Sequence, residues 1–319
     1  MMHFSRKTAW LFLALAGVCG CQWPPADTAR TWERKADSLA LRQDGQIVWR
    51  FNFGTNEAKP NFHPLSLPGG PVLSCYRPTD HPWHRGLWFS WKYINHVNYW
   101  EEDRKTGVAQ GTTEWSAQQL ETHRDFSARL TMDLKYHPAH GPVVLVEHRV
   151  ITVSAPDKTG AYNLDWTMTF KAVGGTVLLD RAPPVDEKGN NVSGGYAGLG
   201  LRAAADFRDA EVITSEGPVQ YENYRFRGKS PALDFSGTIG DRTAGVAFLD
   251  CNSNLNAPTP WYVVNRASWY YISPAVLTFQ PETLQAGEGF TLRYRVAAHP
   301  GRWTTEQLRL AADHYGACR

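Results

Sequence analysis

Two histidines and an arginine occur within five residues in the segment DHPWHRGLWFSW, as His81, His84 and Arg85. Imidazoles exchange protons near neutral pH, and a guanidinium can fork onto a carboxylate or onto sugar oxygens. A spacing of three places the two histidines on opposite faces of a strand, so only a turn can bring them together. Pro82 and Gly86 favour such a turn. The segment therefore predicts acid/base or binding chemistry on a turn, and the alternative is a pair of histidines that only cap it.

Carboxylates follow an aromatic pair in the segment NHVNYWEEDRK. Glu101, Glu102 and Asp103 come directly after Tyr99 and Trp100. A carboxyl group beside tryptophan can have a raised pKa and act as a general acid. We expect Glu102 to be the second acid/base group or to orient a histidine, and the alternative is a solvated acidic turn. Further carboxylates in apolar surroundings, each of which could equally be a salt-bridged sheet residue, are Glu147, Asp165 and Asp234.

Aromatic and amide side chains beside these groups suit a polyhydroxylated ligand, because flat rings stack on sugar C–H groups. The chain shows no nucleophile elbow, phosphate loop or dinucleotide fingerprint after a strand. The alternative for the later segment NLNAPTPWYVVNR is a plain Asn/Pro loop. The residues predicted to bind substrate are Trp83, Trp88, Tyr99, Trp100, Asn256, Trp261, Tyr262 and Arg266.

Composition sets limits on the class of protein. The 319 residues include 13 Trp and carry a net charge of +2, and only 20% of them are charged. Such a chain can bury a large core. It has no basic stripe for nucleic acid.

The N-terminal residues predict export and lipidation. A short basic region, an apolar run and small residues precede Cys21, so residues 1–20 have the features of a signal peptide. We expect lipid on Cys21, with Cys19 or an ordinary cleaved signal as alternatives. Gln22, rather than Asp, follows the lipidated position, which favours the outer membrane in a Gram-negative-type host. We therefore expect an exported protein at the outer membrane or in the periplasm of such a bacterium, with membrane contact only through the lipid. Residues 21–36 then form a tether.

Three cysteines remain in the rest of the chain, at positions 75, 251 and 318. An odd number excludes a complete disulfide framework. One bridge or three free thiols are both compatible with the sequence.

The dominant hydrophobic period is two, which predicts long antiparallel strands with one buried face. Asp44 and Gly45 predict a tight hairpin turn. Thr304 and Gln307 predict a capping box at the start of a single C-terminal helix. Proline, glycine and asparagine residues mark a long loop near 180–195, which could carry function. The clearest alternation spans residues 126–136, 162–170 and 290–296, and further strands are predicted near 71–76, 87–94, 113–121, 143–153, 176–180, 244–250 and 269–272.

This pattern predicts an all-β protein, a large antiparallel β-sandwich with one C-terminal helix. No composition break divides the remaining chain, so we expect residues 37–319 to form one sandwich domain.

The ordered segments DHPWHRGLWFSW, NYWEE, GGYAGLGLR, GKSPALDFSG, NAPTPWYVVNR and GEGFTLRYRVAAHPG resemble the secreted bacterial family labelled PmoA, or "methane oxygenase PmoA". The resemblance covers nearly the whole of residues 37–319. It implies a sandwich similar to galactose mutarotases and polysaccharide lyases, in a family common beside sugar-catabolic genes. The family often has histidines where this chain has Trp83 and Tyr262, and their absence disfavours a metal site.

The oxygenase label does not fit the chain. A membrane methane oxygenase subunit needs several apolar spans of about twenty residues, and the sequence after position 20 has none. Lipidated Cys21 at the N-terminus would also exclude a copper site built on an N-terminal histidine.

Three hypotheses about function follow. The first is a lipid-anchored carbohydrate-active enzyme, a glycoside hydrolase or a lyase, that needs no cofactor. In it His84 is the acid/base, His81 is its partner or a ligand donor, and Arg85 clamps substrate oxygens or a carboxylate. The second is a lipoprotein that binds glycan without chemistry. The third is a metal-dependent oxidoreductase that uses His81, His84 and His299.

Overall fold

The structure is a computed structural model that describes residues 29–190 and 192–318. The predicted signal peptide over residues 1–20 and the lipidation site Cys21 lie outside the described residues. Within the described ranges, no helix is both long enough and apolar enough to span a bilayer.

The described chain forms 22 strands and one helix. The first eleven strands are β1 (Arg30–Arg34), β2 (Ser38–Gln43), β3 (Gln46–Asn52), β4 (Asn61–Leu65), β5 (Leu87–Ser90), β6 (Tyr93–Ile94), β7 (Val97–Asn98), β8 (Gly111–Thr122), β9 (Ala128–Pro138), β10 (Leu145–Val153) and β11 (Tyr162–Ala172). The remaining elements are β12 (Val177–Asp180), β13 (Gly198–Arg202), β14 (Arg208–Thr214), β15 (Gly217–Pro218), β16 (Arg225–Lys229), β17 (Ala232–Ile239), β18 (Arg242–Asp250), β19 (Pro260–Arg266), β20 (Trp269–Pro274), β21 (Glu282–Leu284), β22 (Gly289–Pro300) and α1 (Thr305–Gly316).

Two nine-stranded antiparallel sheets form the sandwich. The first sheet has the order β1-β2-β3-β4-β5-β13-β20-β19-β16, and the second has the order β15-β14-β17-β18-β22-β11-β10-β9-β8. A small third sheet has the order β21-β12-β6-β7. The predicted all-β antiparallel sandwich with one C-terminal helix is confirmed.

Alternating side chains explain why the sheets pack face to face. Along β9 and β11 every second residue is buried, as the period of two requires. Phe62 of the first sheet packs edge-on against Trp166 of the second, with ring centroids 5.8 Å apart. Phe89 and Phe170 also meet across the two layers, with tilted rings whose centroids are 5.3 Å apart. Burial of apolar side chains such as these rings supplies most of the driving force for the sandwich.

The first strand corrects the predicted tether. Residues 30–34 pair with β2 from Arg30↔Gln43 to Arg34↔Leu39, so the sheet begins before residue 37. Trp32 packs edge-on against Trp49 at 5.7 Å, which holds this strand on the core. The charged residues around Trp32 suggested a tether, but they belong to an edge strand, where charged side chains are common.

The hairpin turn and the helix cap are confirmed, one predicted strand is corrected, and the pairing of the cysteines is resolved. Asp44 and Gly45 both have positive φ, 51° and 79°, in the two-residue hairpin loop between β2 and β3. Thr304 and Gln307 form the predicted capping box of α1. Residues 71–76 form isolated bridges rather than the predicted strand. Two of the three cysteines pair, since Cys251 and Cys318 form a disulfide and Cys75 is a free thiol.

Candidate functional site

The turn before β5 brings His81 and His84 together, as predicted. The His84 N–H donates to the His81 carbonyl oxygen at 2.9 Å, and the two rings stack with centroids 4.7 Å apart. Gly86 ends the turn with φ of 71°, and a Cβ there would lie 2.5 Å from the Phe62 carbonyl oxygen. Only glycine fits that position, so β4 and β5 fix the geometry of the turn.

The two histidines face a cavity of about 100 Å³ that we call the aromatic pocket. Four parts of the chain surround it: the turn before β5, the segment after β7, the loop between β12 and β13, and the neighbouring strands β19 and β20. The lining residues are His81, Trp83, His84, Trp100, Glu101, Ser193, Tyr196, Tyr262, Val264, Trp269 and Tyr271.

His81 is held by a carboxylate. Its Nδ1 lies 2.9 Å from Asp80 Oδ2, and the same oxygen accepts a hydrogen bond from Arg202 Nη2 at 2.8 Å. Partial burial acts to raise the pKa of Asp80, but the hydrogen bonds from His81 and Arg202 outweigh it and hold that pKa below its usual value. An ionised carboxylate only accepts hydrogen bonds, so Nδ1 of His81 carries the proton and Nε2 keeps its lone pair when the ring is neutral.

His84 lies deeper and is less suited to exchange protons. Its side chain packs between the rings of His81 and Tyr271, and the residue is only 5% exposed. Burial lowers the pKa of His84 well below its usual value, and the nearby His81, Arg202, Lys59 and Arg85 lower it further. Among the described residues its Nδ1 has no hydrogen-bond partner. The neutral ring therefore supports His81, whose side chain is 30% exposed.

Glu101 is the carboxylate of the aromatic pocket. Its Oε1 accepts a hydrogen bond from the Tyr196 hydroxyl at 2.9 Å, and its Oε2 pairs with Lys92. Burial raises the pKa of Tyr196, and the charge of Glu101 raises it further, so the hydroxyl stays protonated and donates.

Arg85 and Glu102, both predicted to be catalytic, lie outside the aromatic pocket. Arg85 Nη2 donates to Glu102 Oε2 at 2.5 Å, and Lys59 Nζ donates to Glu102 Oε1 at 2.7 Å. Arg85 Nη1 donates to the Pro82 carbonyl oxygen at 2.6 Å. The predicted grouping of both histidines with Arg85 and Glu102 in one cleft is therefore corrected. Glu101 rather than Glu102 lines the aromatic pocket with the two histidines, because Lys59 and Arg85 hold Glu102 outside it.

Among the predicted substrate-binding residues, Trp83, Trp100 and Tyr262 line the aromatic pocket. Trp88 and Trp261 do not, because both side chains are fully buried in the packing behind it. Tyr99 is buried in the main core, where it meets Tyr136 edge-on.

The two polar substrate-binding candidates also lie elsewhere. Asn256 uses its amide to bind the Val276 carbonyl oxygen and Gln280. Arg266 lies over the Tyr224 ring at 5.3 Å, at the exposed end of β19. The prediction that Asn256 and Arg266 line the binding pocket is therefore corrected. They are close in sequence to the pocket residue Tyr262, but their side chains lie elsewhere.

Several pocket residues were missed by reasoning from the sequence. Trp269 and Tyr271 are two residues apart on β20, so both side chains lie on the face of the sheet that lines the pocket. The Trp269 ring stacks on that of His81, with centroids 5.4 Å apart. Ser193 and Tyr196 come from the long loop that was expected to be functional. Arg225 donates to Ser193 Oγ at 2.7 Å, and the Arg227 guanidinium binds the Gly194 carbonyl oxygen. The Pro/Gly-rich composition was the only signal for this loop.

The other carboxylates and His299 have structural partners. Glu147 pairs with Arg149, and Asp165 pairs with Arg295. Asp234 Oδ1 lies 2.7 Å from Nε2 of His299, whose ring stacks on Trp303. His299 therefore does not join His81 and His84. In the described ranges, no group of three or more histidine, cysteine and acidic residues has metal-site geometry.

Comparison with known proteins gives one family and two similar folds. A family model described as "Family of unknown function (DUF6807)" matches residues 38–313. No curated protein matches the sequence. The galactosidase domain of an alpha-galactosidase-sucrose kinase is similar in structure at 10% identity with a TM-score of 0.40, covering 85% of this chain and 40% of that one.

A candidate aldose 1-epimerase from Klebsiella pneumoniae subsp. pneumoniae is similar at 7% identity with a TM-score of 0.42, covering 87% of this chain and 82% of that one. Both TM-scores lie below 0.5, so inferences about chemistry rest on the pocket itself.

Proposed function

Because the chain belongs to DUF6807, a family of unknown function, the site has to supply the assignment, and we propose a carbohydrate-active enzyme that moves a proton on a sugar held in the aromatic pocket. The observation that carries this proposal is the Asp80–His81 pair at the edge of a cavity walled by tryptophan and tyrosine rings.

The walls suit a sugar ring. Trp100, Tyr196, Tyr262 and Trp269 present flat faces that can stack on C–H groups, while Glu101 and His81 offer polar atoms for hydroxyls. The cavity is small, about 100 Å³, so we assign it to one sugar unit at the end of a longer ligand.

His81 has the geometry of a general base. Asp80 fixes its tautomer and stabilises the imidazolium that forms when Nε2 takes a proton. This assignment exchanges the roles expected from the sequence, where His84 was the acid/base and His81 its partner. Buried His84, with its lowered pKa, is the partner here.

The arrangement favours elimination over hydrolysis. A typical glycoside hydrolase uses two carboxylates that flank the scissile bond. Within the described residues, Glu101 is the one acidic side chain that lines the aromatic pocket. Lys92 and Tyr196 both bind it, which suits it to hold hydroxyls.

We therefore propose a lyase. His81 Nε2 removes the proton from a carbon next to a carboxyl or keto group. The electron pair forms a C=C bond as the C–O bond at the next carbon breaks, and the leaving oxygen takes the proton from the His81 imidazolium.

The test uses the full chain with oligogalacturonides, alginate oligomers and oligosaccharides oxidised to carry one keto group. Mass spectrometry and the absorbance of a new C=C bond report elimination. We expect an unsaturated product from at least one probe, and its loss in His81→Asn. His148→Asn is the matched control, because His148 forms the same kind of pair with Asp133 at 2.7 Å on the exposed face of the second sheet.

Hydrolysed products without unsaturation would favour a hydrolase. Binding without any product would leave the protein as a glycan-binding protein and end the enzyme proposal. The resemblance to the PmoA family stays a prediction, and the lipid anchor is a proposal from the N-terminal sequence alone.

A further inference from the structure

A second cavity, of about 560 Å³, lies on the other side of the residues that wall the aromatic pocket. His84 faces the aromatic pocket and Arg85 faces this cavity. Trp100 and Glu101 likewise line the pocket, whereas Tyr99 and Glu102 line the cavity. The two cavities therefore share a wall but open onto different surroundings.

The second cavity runs along the edge at which the second sheet ends among the described strands, and we call it the edge cleft. β8 is the last strand of that sheet, and residues 111–115 of β8 line the cleft opposite residues 55–59. An edge strand has backbone N–H and C=O groups that no neighbouring strand pairs. At Gly111 the missing side chain makes room for the Tyr99 ring, from which a Cβ would lie only 2.5 Å away. The cleft thus offers backbone donors and acceptors to a ligand.

The floor of the edge cleft is a buried network of charges. Lys59 and Arg85, each only 2% exposed, both bind Glu102. Glu57 accepts a hydrogen bond from the Tyr76 hydroxyl at 2.7 Å and lies 3.4 Å from Arg85 Nε. Lys59 Nζ has three protons but donates to one described acceptor, Glu102 Oε1. A buried lysine with unused donors at the base of a cavity indicates a bound polar group, because unpaired buried donors are costly.

The charges of the edge cleft balance, which argues against an ionic ligand. Three cationic and three anionic side chains line it: Lys59, Arg77, Arg85, Glu57, Glu102 and Glu114. Hydroxyl and amide groups of Thr55, Asn56, Thr112 and Thr113 add both donors and acceptors.

Trp115 also lines the cleft. Its Nε1 already donates to the Phe53 carbonyl oxygen at 2.8 Å, so the part of Trp115 left for a ligand is the apolar ring. A ligand with many hydroxyls and no net charge matches such a surface.

We propose that the edge cleft is a second binding site, separate from the aromatic pocket, and that it holds a neutral oligosaccharide. Its volume lies within the usual range for ligand sites and accommodates several sugar units. This inference does not depend on the lyase chemistry. The edge cleft and the aromatic pocket lie next to each other, but no residue lines both.

The test is isothermal titration of the full chain with xylotetraose, cellotetraose and mannotetraose. We expect at least one of them to bind, and its affinity to fall at least fivefold in the double variant Asn56→Ala/Thr112→Ala. The matched control is Asn252→Ala/Thr169→Ala, which removes the same groups from exposed positions elsewhere. Trp269→Ala, which opens the aromatic pocket, should leave this affinity unchanged. Thermal unfolding of every variant verifies that it is folded.

Four results would overturn the proposal. The first is that none of the tetrasaccharides binds. The second is that the edge-cleft variant binds as the wild type does. The third is that Trp269→Ala alone abolishes binding, which would place the sugar in the aromatic pocket. The fourth is that an extended model peptide binds at β8 and the sugars do not, which would indicate strand addition instead. The lyase proposal is unaffected by these results, since it is read from product formation and His81→Asn.

Discussion

Asp80 Oδ2 lies 2.9 Å from His81 Nδ1 and 2.8 Å from Arg202 Nη2, so one carboxylate oxygen joins a histidine of the turn to an arginine at the end of β13. Arg202 is 3% exposed, and its charge keeps Asp80 ionised. The position of the partly exposed His81 therefore depends, through Asp80, on the buried Arg202.

The first prediction concerns Asp80→Asn. An amide cannot fix the His81 tautomer as a carboxylate does, and it cannot stabilise the imidazolium. We expect turnover to fall about a hundredfold, because general acid/base catalysis contributes at least that much. Thermal stability should also fall, because the buried Arg202 loses its ion pair with Asp80. Initial rates on the probe that the wild type converts provide the measurement.

Asp133→Asn is the control for this prediction. It removes the carboxylate of the equivalent exposed pair with His148. Equal rates for Asp80→Asn and the wild type would remove His81 from the proposed role.

The second prediction concerns acid stability at His63. Burial and, to a smaller extent, the charge of Arg50 lower the pKa of His63 to about 4, and Nδ1 of the ring lies 2.9 Å from Ser74 Oγ. The folded state therefore prefers the neutral ring. This contribution to stability is present above pH 6.5, the pKa in the unfolded chain, and is lost as the pH falls from there towards 4.

We expect His63→Gln to reduce the loss of unfolding free energy between pH 7 and pH 4.5 by about 2 kcal/mol. Denaturant unfolding at the two pH values measures this change. His148→Gln, at an exposed site, should leave the pH dependence as in the wild type. The same pH dependence in His63→Gln as in the wild type would contradict the assignment. Buried His84 should still contribute acid sensitivity of the same sign.

The third prediction concerns Cys21 and rests on the sequence alone. Lipidation of Cys21 should place the protein in the membrane fraction of a Gram-negative-type host and allow labelling with radioactive palmitate. Cys21→Ser should abolish the label and release the protein into the soluble fraction. Cys19→Ser is the control and should keep the label. Labelling that persists in Cys21→Ser and disappears in Cys19→Ser would assign the lipid to Cys19.

Much of the fold was predictable because it depends on local patterns. The alternation in β9, β11 and β22 determines which face of each strand is buried, and the Asp44–Gly45 turn and the Thr304 cap depend only on neighbouring residues. The first strand was missed because Arg30–Arg34 is an edge strand with few apolar residues, whose pairing with β2 is visible only in the sheet.

The sequence by itself determined the all-β class and the turn that stacks His81 on His84, because neighbouring residues set both. The tertiary structure decided which groups share a cavity. Glu101 and Glu102 are adjacent, yet they line different cavities. Their side chains have different ion-pair partners, which are Lys92 for Glu101 and Lys59 with Arg85 for Glu102. Trp269 and Arg202 reach the histidines from strands more than a hundred residues away, and only the pairing of β5, β13 and β20 brings them there.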